Sequence, residues 1–91
     1  CGQADGLVNK ALEVEGVRMA VLASEREDGI KMSLRAVEPD TVNDIAVLFG
    51  GGGHAQAAGC TIHAPLQEAL DQILAAMKDK LDKTPRPEKR A

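Results

Sequence analysis

Four consecutive glycines, Gly50-Gly51-Gly52-Gly53, run directly into His54 and then into Ala55-Gln56-Ala57-Ala58-Gly59, and this stretch sets the tightest constraint on how the chain folds. Glycine gives up more backbone entropy on ordering than any other residue. A run of four inside a small domain therefore costs stability unless the main chain needs positive φ or close approach. One glycine after Phe49 suffices to close a helix, and Gly50 stands where that cap belongs. The other three are not explained by the cap. A ligand is one reason for them: successive bare N–H groups can form a concavity for an anion, and His54 adds a donor that is neutral or cationic near neutral pH. A tight turn is the competing account. The run is not a P-loop, since no Lys-Ser or Lys-Thr pair follows it, nor a dinucleotide fingerprint, since the segment before it has helical rather than strand character.

The flanking segments give this loop its setting. Leu7, Val8, Ala11 and Leu12 share one face of a short helix over residues 5–15, with Gly16 as its stop. Val17 to Glu25 is nearly all apolar, with Arg18, Ser24 and the closing Glu25 as the exceptions, which predicts a strand buried on both faces or centrally placed. Asp28-Gly29 supplies turn chemistry for a hairpin. In residues 30–36 the alternation is strict: Ile30, Met32, Leu34 and Ala36 face a core, and Lys31, Ser33 and Arg35 face the other way. Thr41 and Asp44 read as a capping box for a helix over 42–49, whose core residues are Val42, Ile45, Ala46 and Phe49. Ala58 to His63 predicts a third strand, with Cys60 as a small core residue. Pro65 opens the last helix, along which Leu66, Ala69, Leu70, Ile73, Leu74, Met77 and Leu81 keep a helical register. Residues 1–83 form the domain; 84–91, with two prolines and no apolar period, are expected to be a disordered tail.

Ninety-one residues with 44% hydrophobic content suit one domain with a single core, and with Phe49 as the one aromatic residue that core must be aliphatic. The same scarcity removes the stacking platforms of single-strand binders. Residues 1–77 hold five basic and eleven acidic side chains, so the body has no broad basic face for long nucleic acid, and an anionic ligand must be held by a few placed groups. No stretch has the apolar length of a membrane span, and no signal peptide opens the chain, which predicts a soluble, cytoplasmic protein. Cys1 and Cys60 show no framework spacing and read as free thiols. Opening at Cys1 with no recognisable start, the chain reads as a fragment of something longer.

Cys60 and His63 fall on opposite sides of a strand, against a zinc site, and neither a nucleophile elbow nor a Cys-His-Asn set is visible. What remains is recognition: the glycine loop, His54, and Arg35, whose guanidinium can make a forked contact to phosphate. An arginine on a wet sheet face is the plainer reading of Arg35 taken alone.

The segment Asp28-Gly29-Ile30-Lys31-Met32-Ser33-Leu34-Arg35, the short helix, and Phe49-Gly-Gly-Gly-Gly-His54-Ala-Gln-Ala-Ala-Gly59-Cys60 together resemble the DHH-associated C-terminal domain of DHH-family phosphoesterases, most closely the nanoRNase/pAp phosphatase group. The resemblance runs from about Asp5 to the last helix. It implies an α+β fold, a small central sheet of a hairpin plus a third strand flanked by helices. It also implies a larger N-terminal DHH domain whose Asp and His residues bind two manganese ions, and leaves room for a homodimer of the intact enzyme. Carried over by matching residues, substrate contact falls on Gly51, Gly52, Gly53 and His54, and a second anionic group on Arg35. Ala36 stands where the family often has Ser, so any contact from that hydroxyl is lost.

The implied function is to hold a nucleotide or short single-stranded RNA, nanoRNA or 3′-phosphoadenosine 5′-phosphate (pAp), for hydrolysis by the manganese domain. One alternative is a non-catalytic RNA-binding module of the alanyl-tRNA synthetase type, which the acidic body argues against. Another is an assembly domain in which the glycines make only a tight turn.

Overall fold

A computed structural model of the chain describes residues 8–13 and 15–84. The alternating segment forms the central strand β2 (Gly29–Ala36), paired on one side with β1 (Met19–Arg26) and on the other with β4 (Ala57–Ile62). A short strand β3 (Gly52–His54) lies outside β4, giving the order β1-β2-β4-β3, with every neighbouring pair antiparallel. Helix α1 (Asn43–Leu48) joins β2 to β3, and α2 (Leu66–Lys83) follows β4. The architecture is α+β, as the resemblance implied, with a fourth strand where the sequence reads as loop. That strand exists because Gly52 and Gly53 pair with Gly59 and Ala58, and small residues on both sides let the two backbones meet.

The core fills one side of the sheet. Met32 and Leu34 from β2, Ala58 and Cys60 from β4, Val42 and Ile45 around α1, and Ile73 and Met77 from α2 are all buried in one cluster. Each large aliphatic side chain so buried contributes about 1.5–3 kcal/mol, which is how a core with almost no aromatic content holds together. The apolar stripe of α2 is narrower than the sequence suggests. Ala69, Ile73 and Met77 are buried, but Leu66 and Leu74 remain 38% and 49% exposed, because the sheet covers only the middle of the stripe.

Two further expectations are corrected. The first strand is an edge strand, half-buried along most of its length: among the described residues it pairs with β2 alone, and of its own side chains Met19, Val21 and Ala23 pack against the core. The capping box does not form. Val42 occupies the N-cap of α1 without a side-chain hydrogen bond, because Lys80 of α2 reaches over and donates to both Thr41 Oγ1 (2.8 Å) and the Asp44 carboxylate (2.6 Å). In the first predicted helix, residues 8–11 are helical and Val8 is buried, whereas residues 1–7 and 14 lie outside the described residues. Gly16, at φ +89°, fits its expected role as a stop. Of the expected tail, Thr84 caps α2, its N–H and Oγ1 both donating to Lys80 O, and residues 85–91 lie outside the described residues.

A polar tie that the sequence did not announce fixes the ends of these elements. Arg18, just before β1, forks onto Asp40 with Nε and Nη2 each 2.7 Å from a carboxylate oxygen, and also donates to Thr84 O. Asp40 is only 9% exposed, and its hydrogen bonds hold Arg18 still more firmly protonated than usual. Gln56, in the turn between β3 and β4, donates to Asp40 O at 2.8 Å, and Val42 N–H donates to Ala55 O at 2.7 Å. The glycine-histidine hairpin is thereby anchored at its tip.

Candidate anion-binding site

The four glycines divide into three kinds. Gly50, at φ +84°, closes α1: its N–H bonds to Val47 O at 3.0 Å while the N–H of Gly51 bonds to Ala46 O at 2.8 Å, the paired closure of a Schellman motif. These two amides point back at the helix, so an anion concavity of successive free N–H groups does not include them. Gly51 and Gly53 are needed by the fold itself. A Cβ on Gly51 would lie 2.1 Å from Gly59 O, and one on Gly53 would lie 2.6 Å from the Cα of Ala58. Gly52 is different. Nothing stands within 4 Å of where its Cβ would be, and its φ is outside the left-handed range. Neither backbone conformation nor internal packing accounts for a glycine there.

Register places the other candidates. In antiparallel strands, residues directly opposite one another project to the same face. Arg35 pairs with Ala57, and Ala57 with His54, so the three form one row across the sheet. The next row is Ser33, Gly59 and Gly52, and the one after it is Lys31 and Thr61. All of these lie on the face turned away from the aliphatic core. Arg35 and His54 stand two strand spacings apart, about 10 Å between Cα atoms, with only a methyl group between them. Arg35 is half-buried and donates from Nη1 to Leu34 O at 2.8 Å, which holds its side chain close to the sheet, while His54 is exposed.

Beyond Gly52, at the open edge of β4, lies a groove of about 650 Å³ whose lining includes Lys31, Phe49, Gly51, Gly52, Thr61 and His63. It forms because β3 stops at Gly52 and the chain turns back into α1, leaving the outer edge of β4 beside Cys60 to Ile62 without a strand. Neither Arg35 nor His54 lines it. Lys31, Thr61 and His63 were not singled out as binding residues from the sequence; their alternation was visible, but the pairing that aligns them was not.

Cys60 is buried on the core side, unpaired, and burial pushes its thiol pKa up, away from the reactive thiolate. Cys1 lies outside the described residues. Among the described residues no group of three or more His, Cys, Asp or Glu side chains is arranged to hold a metal ion, so the residues here do not fit manganese. No described helix is long and apolar enough to cross a membrane.

A four-stranded antiparallel sheet with two helices on one face and a glycine-histidine hairpin at its edge defines a known class. Residues 2–83 match the family model of the DHHA1 domain, and the chain belongs to that family. It is 36% identical over 78 residues to the bifunctional oligoribonuclease and PAP phosphatase NrnA of Thermus thermophilus, across 85% of this chain and 24% of that protein. The protein of the same name from Bacillus subtilis is 32% identical over 76 residues, across 84% of this chain and 23% of that one. Among solved structures, an exopolyphosphatase-related protein from Bacteroides fragilis superposes with a TM-score of 0.71 at 29% identity, covering 90% of this chain and 23% of the other. The chain thus spans about a quarter of the length of the curated relatives it matches.

Proposed function

We propose that this domain holds the phosphate-bearing end of a short RNA oligonucleotide, or of pAp, for a phosphoesterase centre in a preceding DHH domain of a cytoplasmic enzyme. The observation that carries the reading is the single row Arg35, Ala57 and His54 beside the bare surface of Gly52. Arg35 contributes a permanent charge in a planar fork suited to phosphate oxygens, and His54 a second donor from the opposite strand. Gly51 and Gly53 lock the loop against β4, which keeps the open surface at Gly52 in place. The hydrolytic chemistry belongs to manganese ions held outside the described residues. This chain's part is to offset substrate charge and set which phosphoester presents itself, and the names of the NrnA relatives favour that substrate class.

In the intact enzyme, Arg35→Ala and His54→Ala are each expected to lower kcat/KM for pAp and for short RNA by about 10-fold or more, the scale of one charge-assisted hydrogen bond, with unchanged urea midpoints. Kinetics unaltered in both variants would remove the assignment. Titrating pAp into the 91-residue chain while following the Gly50–Gly59 amides by NMR tests the location directly. Shifts from tRNA and none from mononucleotides would favour a folded-RNA-binding module instead.

A further inference from the structure

The hairpin that carries His54 has little of its own to hold it in place. Strand β3 is three residues long, two of them are glycines with no side chain to pack, and His54 itself is exposed. His54 pairs with Ala57 of β4, so Ala55-Gln56 is a two-residue turn. Such turns favour positive φ at the first or at both central residues, because that backbone matches the twist of the flanking strands. Neither Ala55 nor Gln56 has positive φ. Local backbone preference does not select this turn, and its geometry is imposed from elsewhere in the fold.

The source is the connection between β2 and α1, residues 36–42. Ala36 N–H donates to Gln56 O at 3.1 Å, and Val42 N–H donates to Ala55 O at 2.7 Å. The side chain of Gln56 returns a bond, with Nε2 donating to Asp40 O at 2.8 Å. This connection starts one residue after Arg35, so it is joined to Arg35 by the chain and to the turn after His54 by hydrogen bonds. It is itself pinned: Val37 N–H donates to Arg18 O at 2.9 Å, and the Arg18 guanidinium forks onto the Asp40 carboxylate. Of the three bonds to the turn, two are backbone to backbone, and the third depends on the identity of one side chain. Gln56 is half-buried and uncharged, so it adds nothing to the attraction of an anion. Its amide supplies the N–H that the Asp40 carbonyl needs, whereas a carboxylate of the same length would set oxygen against oxygen.

We propose that Gln56 is a positioning residue for the phosphate site: through Asp40 O it holds the turn after His54 against the segment after Arg35, and so sets how the two groups stand relative to one another. It makes no contact with the ligand in this role. The proposal rests on the reading of Arg35 and His54 as the groups that hold phosphate. Small displacements at such a site are costly, since a misplacement of about 1 Å can lower a rate by up to about 100-fold.

A double-mutant cycle in the intact enzyme, read as kcat/KM for pAp, tests the role. Gln56→Met keeps the length of the side chain and removes the donor. It is expected to lower kcat/KM about 3- to 10-fold, the range of one hydrogen bond, against about 10-fold or more for His54→Ala. In the His54→Ala background, Gln56→Met is expected to change nothing further, because no imidazole is left to place. A side chain that only supported the fold would cost the same factor in both backgrounds, and that result overturns the proposal. Parent-like kinetics in Gln56→Met beside a large loss in His54→Ala would overturn it as well, while leaving the phosphate site standing. Parent-like kinetics in His54→Ala would remove the phosphate site and the positioning role together. Amide hydrogen exchange of the intact enzyme, resolved by peptide, reads the contact without turnover. In Gln56→Met, residues 36–42 are expected to exchange about 3- to 10-fold faster, with β1 and β2 as protected as in the parent. Unchanged exchange over 36–42 would show that the turn is held without Gln56. Loss of protection throughout the domain would show that Gln56 serves the fold as a whole. Either result overturns the proposal.

Discussion

On the side of the sheet that meets α1 and α2, strand β2 presents Ile30, Met32, Leu34 and Ala36, all buried in the aliphatic cluster; on the other side the same strand presents Lys31, Ser33 and Arg35, exposed or half-buried. Strand β4 repeats the division, with Ala58, Cys60 and Ile62 inward and Ala57, Gly59 and Thr61 outward. One face is chosen for volume and apolar area, the other for charge and for the absence of bulk. The difference separates the glycines that the fold requires from one that it does not. Gly51 and Gly53 are pressed onto β4, where a Cβ would meet backbone, whereas nothing stands within 4 Å of the Cβ position of Gly52; Gly50, Gly51 and Gly52 all line the groove.

The largest effects should come from the covered face and its clasp. Leu34→Ala leaves a cavity in the aliphatic cluster and is expected to cost about 2–5 kcal/mol of unfolding free energy. Gly51→Ala forces a methyl group into the Gly59 carbonyl, where only backbone can give way, and should approach the upper end of overpacking, about 3 kcal/mol. Lys31→Ala on the open face should stay within about 0.5 kcal/mol. Urea denaturation of the three variants measures the contrast, and a Gly51→Ala protein as stable as the parent would show that the loop is not clasped as described.

Gly52→Ala is the sharper probe of the comparison, because the two faces predict opposite readouts for neighbouring residues. With its φ outside the left-handed range and open space at Cβ, alanine should leave stability unchanged or raise it by about 0.4–1 kcal/mol through the unfolded chain. On the proposed reading the added methyl group covers surface that the ligand would use, so affinity for pAp should fall about 10-fold, the equivalent of about 1.4 kcal/mol. A variant that loses stability as Gly51→Ala does would place Gly52 in the fold; one that binds as well as the parent would clear it of any ligand.

The covered face was legible in the sequence because burial imposes a period. The alternation of Ile30, Met32, Leu34 and Ala36, and the recurrence of Ala69, Ile73 and Met77, announce their elements directly. The glycine motif also announced itself, but its division of labour did not, since a run of identical residues gives no sign of which one meets backbone and which meets space. Strand β3 was missed because glycines signal turns locally, and only the equally small Ala58 and Gly59 opposite make pairing favourable. The alignment of Arg35 with His54 depends on β4 lying between β2 and β3, a register set by pairing far apart in the chain. Asp40 was missed for a related reason: beside Pro39 it reads as a turn residue, and its partner Arg18 lies in a different segment, drawn in only once β1 and β2 pair.

The smallest expected effect concerns the tie between the helices that cover the core. Partial desolvation works to raise the Asp44 pKa, but the hydrogen bond and charge of Lys80, with the N–H groups of Asp44 and Ile45, outweigh it and hold the carboxyl below its usual range. A carboxyl with a lowered folded pKa binds fewer protons folded than unfolded. Its contribution to stability is therefore complete above the unfolded value of about 3.9 and is lost as pH falls through the lower folded value. Because Asp44 remains 56% exposed, the pair is screened and should contribute only about 0.2–1 kcal/mol. Urea midpoints compared between pH 6 and acid, parent against Asp44→Asn, should differ most at about pH 5 and above and converge in acid, and added salt should shrink the gap. A gap that persists undiminished below the folded pKa would mean that Asp44 acts through packing, and that Lys80 holds α1 by its bonds to Thr41 alone.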